Sequence, residues 1–242
     1  MNVRKLLGWI ALGVAILGVA ACDQFRPATV DIQTNPGKLW HSEIVNIRGT
    51  KGDDELAAYD QLNVQIRAFA GNDVIDLADA GGQNYVDAGP GNDIVYDSPF
   101  YDTIRLGDGN DTATHTGGND MTSGDKGDDL IEVYVDEIFA APDPPYDVGG
   151  PFVTRLDGGD GVDTVRFHMS QPCVDAGYDA AIVSSFEDWQ EGGALAELDL
   201  YAATGSMSQP LNILLVNLEL LEIVNATTNE MIYPELPSGP EG

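Results

Sequence analysis

Large apolar side chains recur through the middle of the chain in short clusters that are separated by glycine-rich polar stretches. From residue 49 to residue 132, each polar stretch ends on an aspartate or asparagine. The residue two positions later is the one that we expect to point into the core. The residues at this position are Leu56, Ile75, Val86, Val95, Ile104, Ala113, Thr122 and Ile131, with Val165 after a detached copy of the pattern. Seven of these nine are leucine, isoleucine or valine, which indicates a buried face rather than a solvated linker.

The polar residue that closes each stretch, which we call the anchor, repeats at a fixed interval. Six successive anchors lie nine residues apart, namely Asn84, Asp93, Asp102, Asp111, Asp120 and Asp129. The interval loosens upstream, where Asp73 lies eleven residues before Asn84 and Asp54 lies nineteen residues before Asp73. The detached copy, residues 158–165, has Asp163 as its anchor. A fixed period of this kind indicates a repeat architecture.

Each nine-residue unit divides into six turn residues and three strand residues, as in residues 88–93 followed by residues 94–96. Glycines allow the tight bend, because glycine adopts positive φ without steric cost. A three-residue strand is too short to fold alone, but stacked copies bury a continuous ribbon of branched side chains. Two units would make one full circuit of the chain, so that each turn lies over the turn two units away.

An alternative reading is a series of antiparallel hairpins, because Gly-Asn and Gly-Asp are also common in hairpin turns. Hairpins would need longer alternating strands between their turns, and only about three residues are available here. The pattern therefore favours stacked parallel strands over hairpins.

The charge of the chain is strongly negative, with 40 acidic residues against 11 basic ones and a formal net charge of −29. Nucleic acid is excluded as an expected partner, because binding to phosphates needs positive charge. Disorder is not expected of the whole chain either, since 43% of its residues are hydrophobic. A compact form must offset its own repulsion, and bound cations are one way to do so.

The stacked turns would bring aspartates and backbone carbonyls of neighbouring circuits together. Such a group of hard oxygen ligands, partly anionic, suits Ca²⁺ and is a poor site for softer metals. An EF-hand is not the source of these ligands, because no segment has the Asp-x-Asp-x-Asp-Gly spacing with a closing glutamate. Calcium is therefore the expected ion.

The units from residue 49 to residue 132, with the single copy at residues 158–166, resemble the RTX, or haemolysin-type, calcium-binding nonapeptide Gly-Gly-x-Gly-x-Asp-x-U-x, in which U is large and apolar. This resemblance implies an all-β fold, a parallel β-roll with calcium held between the turns on both edges. It implies that carboxylates pair as Asp93 with Asp111, Asp102 with Asp120, and Asp111 with Asp129. Asp54, Asp73 and Asp163 belong to units without regular neighbours, and weaker binding is expected there.

Three turns depart from the pattern. Residues 97–102 contain no glycine, and Phe100 stands where the backbone should bend sharply. Asn84 replaces a carboxylate. His115 replaces the first glycine of another turn, and we expect it to be a surface substitution rather than a ligand.

The N-terminus has the pattern of an export signal. Arg4 and Lys5 precede an uncharged run of 16 residues, residues 6–21, which as a helix would span about 24 Å and fall short of a ~30 Å hydrocarbon core. A basic lead, an apolar run and small residues before a break are typical of a signal peptide. The break, residues 19–22, resembles the lipobox of bacterial lipoproteins and implies acylation of Cys22; the alternative is an uncleaved single-span anchor. We expect an exported chain attached to the cell envelope by a lipid on Cys22.

The remaining sequence suggests a tether and leading strand at residues 22–47, the repeat region at residues 48–135, a proline-rich loop at residues 136–152 and a β-rich C-terminal cap at residues 153–242. Residues 212–218 are compatible with a buried strand or a helix, and nearby glycine and proline favour the strand. If Cys22 is lipidated, Cys173 has no intramolecular disulfide partner, and we expect it to be a small buried thiol.

Motifs for catalysis are missing from the sequence, which has neither His-Glu-x-x-His nor Gly-x-Ser-x-Gly and only three scattered histidines. The favoured function is calcium binding by a non-enzymatic lipoprotein with a structural or adhesive role. The alternative is a cryptic secreted hydrolase, catalytic from Val153 onward, whose repeats serve as a calcium-dependent folding aid. A polar cleft among the C-terminal strands would favour the hydrolase, and a packed apolar core would favour the cap.

Overall fold

The computed structural model describes residues 29–34, 43–59, 63–136, 152–190, 196–199 and 211–234. The predicted leader, the predicted lipobox and Cys22 lie outside these residues, as do most of the loop predicted at residues 136–152 and the end of the chain. In the described part, no helix is both long enough and apolar enough to cross a membrane.

The described part is rich in β-structure and forms two sheets, with strands numbered in chain order. The first sheet contains, from edge to edge, β1 (Thr29–Thr34), β2 (Glu43–Arg48), β4 (Val64–Arg67), β6 (Asn84–Pro90), β8 (Asp102–Asp108), β10 (Met121–Lys126), β12 (Phe152–Asp157), β15 (Leu211–Val216) and β14 (Ala196–Asp199). The second contains β17 (Met231–Tyr233), β16 (Leu220–Asn225), β13 (Thr164–Met169), β11 (Leu130–Tyr134), β9 (Thr112–His115), β7 (Ile94–Tyr96), β5 (Val74–Asp76) and β3 (Glu55–Ala57).

The chain alternates between the two sheets, so that one pass through each makes a circuit. From β2 to β13 successive strands belong to different sheets, and strands of the same sheet pair in parallel. The turns that lead from the first sheet to the second lie at one edge, called the first edge, and the returning turns lie at the second edge. Antiparallel hairpins between consecutive repeats are therefore excluded. Only β1, β14 and β17, at the borders of the described sheets, pair antiparallel to their neighbours.

The strand register follows the anchor spacing of the sequence. In the regular part, partners are eighteen residues apart, as in Asn84 with Asp102 and Thr112 with Leu130. This offset equals two nine-residue intervals, as predicted from the anchors. Upstream the offset is twenty residues between Val74 and Ile94. Downstream it widens to thirty-four between Leu130 and Thr164, so a longer connection does not disturb the pairing.

Side chains alternate between the space separating the sheets and solvent. All nine residues predicted to point inward are buried: Leu56, Ile75, Val86, Val95, Ile104, Ala113, Thr122, Ile131 and Val165. Both sheets contribute to the same apolar cluster, with Val86 and Ile104 from the first and Val95 and Ala113 from the second. Three-residue strands such as β3, β5 and β7 are therefore stabilised by packing across the two layers. The prediction of three strand residues in every unit is wrong for the first sheet, where β6 and β8 each have seven.

The sequence had suggested that the C-terminal part is built from strands, but the structure also contains two helices there. Helix α1 spans Gln171–Asp175 and helix α2 spans Tyr178–Gln190. Tyr178, Ile182 and Phe186 of α2 are buried in a second apolar cluster with strands of both sheets. Their spacing of four residues is the signal for this helix that the prediction missed. The prediction of a strand within residues 212–218 is confirmed by β15.

Backbone crowding at the first edge requires glycine. Gly109 has φ of 148° and Gly127 has φ of 129°. A Cβ on Gly109 would overlap the carbonyl oxygen of Gly91, and a Cβ on Gly127 would overlap that of Gly109. Neighbouring circuits therefore approach more closely here than any side chain allows.

A network of ion pairs crosses the outer face of the second sheet. Arg166 Nη1 donates to Glu132 Oε1 at 3.0 Å, and Arg166 Nε donates to Glu222 Oε2 at 2.7 Å. His168 Nε2 lies 3.3 Å from Glu132 Oε1. Hydrogen bonding with His168, together with that from Arg166, outweighs partial burial and lowers the pKa of Glu132 below its usual value.

Replacing Gly109 by alanine should lower the free energy of unfolding by at least about 2 kcal/mol, because the left-handed backbone and the steric overlap both oppose a side chain. Gly177→Ala is the matched control: its φ of 85° is also positive, but nothing lies within 4 Å of an added Cβ. It should cost about 1 kcal/mol. Urea unfolding measures both, and equal losses would show that the circuits are not crowded at Gly109.

Glu132→Gln should destabilise the chain by about 0.5 to 1 kcal/mol at pH 7, because the pair is partly exposed. A lowered carboxyl pKa contributes stability above the ordinary pKa, and this contribution disappears as the pH falls through the lowered value. The difference from the original chain should therefore vanish in strong acid. Thermal unfolding across pH tests this, with the exposed Glu55→Gln as control; a constant difference would contradict it.

Candidate metal centre

A column of carboxylates runs along the first edge. Its members each directly precede a strand of the second sheet, and they are Asp54, Asp73, Asp93, Asp111, Asp129, Asp163 and Glu219. Because these strands are parallel and in register, the residues stack, one from each circuit. We call this set the carboxylate column. It contains six of the predicted site residues and one, Glu219, that the prediction did not include.

One oxygen of each inner carboxylate receives a backbone hydrogen bond from the preceding circuit. The amide of Asp93 donates to Asp111 Oδ1 at 2.7 Å, and the amide of Asp111 donates to Asp129 Oδ1 at 2.8 Å. The same bond joins Asp54 to Asp73, Asp73 to Asp93 and Asp129 to Asp163. At the end of the column, the amide of Asp163 donates to Glu219 Oε2 at 2.9 Å. The predicted pairs Asp93–Asp111 and Asp111–Asp129 are thus brought together.

The second oxygen of these carboxylates has no hydrogen-bond donor. Five such Oδ2 atoms are buried without a partner, those of Asp73, Asp93, Asp111, Asp129 and Asp163. A buried carboxylate oxygen without a donor is costly, and native proteins satisfy nearly all such groups. An unsatisfied oxygen that recurs in five consecutive circuits is a feature of the architecture rather than a local defect.

Burial also disfavours the charged form of these carboxylates. Desolvation, supported by the charges of the neighbouring column members, raises the pKa of Asp111 to about 7 and that of Asp129 to about 6. The pKa of Asp73 is likewise raised to about 7, mainly by burial. For Asp93 and Asp163 burial raises the pKa as well. The column therefore favours a neutralising partner, either a proton or a cation.

A parallel second column lies one residue earlier in each turn and is mostly uncharged. The amide of Asn92 donates to Asn72 Oδ1 at 2.8 Å, and the amide of Asn110 donates to Asn92 Oδ1 at 2.9 Å. Asp53 begins this column and Asp128 ends it. Here the bond runs toward the preceding circuit, opposite to the direction in the carboxylate column. The two columns together hold each turn to both of its neighbours.

The second edge carries the other predicted residues in a different environment. The amide of Asp102 donates to Asp120 Oδ1 at 2.7 Å, which brings this predicted pair together. Ser98 N and Ser98 Oγ both donate to Asp102 Oδ2 at 2.8 Å, and Asn84 Nδ2 donates to Asp102 Oδ1 at 2.7 Å. Both oxygens of Asp102 are thus satisfied by protein donors, although burial raises the pKa of Asp102 to about 7.

The expectation that His115 is a surface substitution is wrong. Its side chain is 1% exposed and lies at the end of β9, turned into the second edge. Nδ1 lies 2.6 Å from Asp120 Oδ2 and 3.4 Å from Asp97 Oδ2. Asp97, which sequence analysis did not single out as a ligand, is also buried. Burial alone would lower the pKa of His115, but the negative charges of Asp120 and Asp97 raise it to about 10.

Cys173 is a buried free thiol, as predicted. Its Sγ donates to Asp136 Oδ1 at 3.3 Å, and burial raises the pKa of the thiol. The raised pKa keeps the sulfur protonated and unreactive. It therefore belongs to the packing of the C-terminal part rather than to a reactive site.

No family model, no curated protein and no solved structure matches this chain.

Proposed function

We propose that this chain binds calcium through the carboxylate column, as an RTX-type parallel β-roll whose folding is coupled to the ion. We further propose that the protein is exported, anchored to the cell envelope by a lipid on Cys22, and structural or adhesive rather than enzymatic. The observation that carries the calcium proposal is the row of five buried Oδ2 atoms without donors.

The donor set of the column suits calcium. Every side chain in it is a carboxylate. Ca²⁺ takes six to eight oxygen ligands, and carboxylates and carbonyls are its usual protein ligands. Nitrogen and sulfur ligands, which softer metals prefer, do not occur among the column's members. The chemistry of the donors therefore favours calcium over zinc or copper at the first edge.

Net charge supports the same conclusion. Residues 48–132 include eighteen acidic and five basic residues. Stacking the circuits places the carboxylates of the column next to one another in a buried row, where their mutual repulsion is weakly screened. A divalent cation between two circuits replaces this repulsion by attraction and provides the missing partner for the free oxygens.

The expected energy is large enough to govern folding. Sites of the extracellular class have dissociation constants of about 10⁻⁴ to 10⁻³ M. A site exposed to calcium at about ten times its dissociation constant adds roughly 1.4 kcal/mol to stability. Three such sites would add about 4 kcal/mol, a large part of the 5 to 15 kcal/mol that is typical of a folded domain. The repeats are thus expected to be loose where calcium is scarce and ordered after export.

The C-terminal part is best explained as a cap. Its strands and α2 bury a continuous apolar cluster that includes Phe167, Met169, Phe186 and Ile223. Glu219 closes the carboxylate column with a side chain one methylene longer than aspartate. An apolar packed end of this kind protects the last circuit from solvent, as terminal repeats generally must. It favours the non-enzymatic protein over the secreted hydrolase.

Calcium should raise the thermal unfolding midpoint of the chain and increase its β-signal in circular dichroism, relative to the same protein in EDTA. Millimolar calcium should be required, and magnesium should substitute poorly because it keeps its water ligands and demands octahedral geometry. Calorimetry gives the number of sites. Identical spectra and midpoints in calcium and in EDTA would overturn the proposal.

Asp111→Asn should have opposite effects with and without calcium. In EDTA at pH 8, it removes a buried charge and keeps the Oδ1 acceptor, so stability should stay unchanged or rise. Asn84 already shows an amide in a stacked anchor position, where it donates to Asp102. In calcium, the variant lacks a ligand, and the apparent affinity should fall about tenfold or more.

The matched control for this variant is Asp79→Asn, which makes the same charge change at an exposed turn residue. It should alter neither calcium affinity nor stability by a measurable amount. Equal behaviour of Asp111→Asn and Asp79→Asn would mean that the carboxylate column does not hold the ion.

A further inference from the structure

Three buried side chains at the second edge form a cluster with a donor set unlike that of the carboxylate column. Asp97 follows β7, His115 ends β9 and Asp120 precedes β10, so the cluster joins two successive returning turns. All three side chains are at most 1% exposed. One ligand atom from each lies within 4.8 Å of the others.

Two of the atoms that face one another, on His115 and Asp120, form a close ion pair. His115 Nδ1 lies 2.6 Å from Asp120 Oδ2, yet neither of these two atoms forms an aligned hydrogen bond. His115 Nε2 and Asn119 Oδ1 are buried without partners as well. With a protonated imidazole this approach is an ion pair, and a metal ion that displaces the proton would be held by the same buried side chains.

Hydrogen bonds orient both carboxylates. Thr116 Oγ1 donates to Asp97 Oδ1 at 2.7 Å, and the amide of Thr116 donates to both Asp97 oxygens, at 3.1 Å to Oδ1 and 3.0 Å to Oδ2. The amide of Asp102 donates to Asp120 Oδ1 at 2.7 Å, which leaves Oδ2 directed at the imidazole. Such supporting hydrogen bonds fix the orientation of ligands around a metal.

We propose that Asp97, His115 and Asp120 form a site for a divalent transition metal of the zinc class, separate from the calcium sites of the first edge. An imidazole nitrogen with two carboxylate oxygens is typical of zinc and related ions and is unusual for calcium. Two carboxylates also neutralise a divalent charge, which a buried site requires.

The spacing of the ligand atoms is near that of a zinc site. With ligands about 2.0 to 2.2 Å from the metal in tetrahedral geometry, ligand atoms lie roughly 3.3 Å apart. The 3.4 Å between His115 Nδ1 and Asp97 Oδ2 agrees with this value. The 2.6 Å to Asp120 Oδ2 requires that oxygen to move by less than about 1 Å. The site has three protein ligands, so a fourth position is left for water or another group.

This inference does not depend on the calcium proposal, because it rests on different residues, on the opposite edge and on a different ligand chemistry. Calcium is poorly suited to the second edge at this level, since both oxygens of Asp102 are already occupied by Ser98 and Asn84. The edge therefore combines a protein-satisfied carboxylate with a histidine-containing cluster.

The test uses the full chain without a histidine tag, kept in excess calcium so that oxygen-only sites are filled. Zinc is added, excess is removed by dialysis against the calcium buffer, and the metal is counted. One retained equivalent of zinc is expected, and cobalt in its place should give the visible absorption of a tetrahedral centre. No retained zinc, or cobalt with only an octahedral spectrum, would overturn the proposal.

Variants assign the ligands. His115→Gln and Asp97→Asn should each weaken zinc binding at least about 100-fold, as measured by competition with a chelator. Asp97→Asn keeps the acceptor for Thr116 and therefore tests the site even if the histidine variant fails to fold. His168→Gln is the control, because His168 lies on the outer face beside Glu132; it should bind zinc unchanged. Unchanged zinc binding by Asp97→Asn would overturn the proposal.

Discussion

The hydrogen bond from the backbone of one circuit to the carboxylate of the next is the interaction on which the structure depends. It fixes the register, because the amide of Asp93 reaches Asp111 only when their strands pair eighteen residues apart. The same bond commits one carboxylate oxygen and leaves the other buried without a donor. The same hydrogen bond therefore orders the carboxylates along the column and leaves each inner one with an oxygen that lacks a partner. A fold that stacks aspartates in this way places negative charge where burial disfavours it.

The two edges apply this interaction to different chemistry. At the first edge the column contains carboxylates only, and every inner member keeps a free oxygen. At the second edge, Ser98 and Asn84 together satisfy both oxygens of Asp102, and His115 places a nitrogen beside Asp120. We propose calcium for the first arrangement and a zinc-class metal for the second. One backbone architecture would then select between metals through the residues at a few turn positions, without a change in strand register.

Much of the fold could be predicted from local sequence signals. Features that depend on contacts between distant parts of the sequence could not. The anchors and the inward residues follow from glycine freedom and strand periodicity, so positions such as Val95 and Ile131 were identified correctly. Most of the column was found for the same reason. Glu219 was missed because fifty-six residues separate it from Asp163, and no local period spans that distance. The burial of His115 was missed because its partner Asp97 lies in the preceding circuit. Helix α2 was missed although the four-residue spacing of its apolar side chains was present in the sequence.

The connections between strands are unequal on the two sides of the molecule. Between β2 and β16, every passage from the first sheet to the second takes six residues or fewer, whereas the passages from β11 to β12 and from β13 to β14 take seventeen and twenty-six. The two longest of these connections thus lie where the chain returns to the first sheet. The row of acidic groups stays uninterrupted on one side, and the opposite side can vary in length and composition. A protein built this way can acquire new surface for recognition while its carboxylate column remains constant.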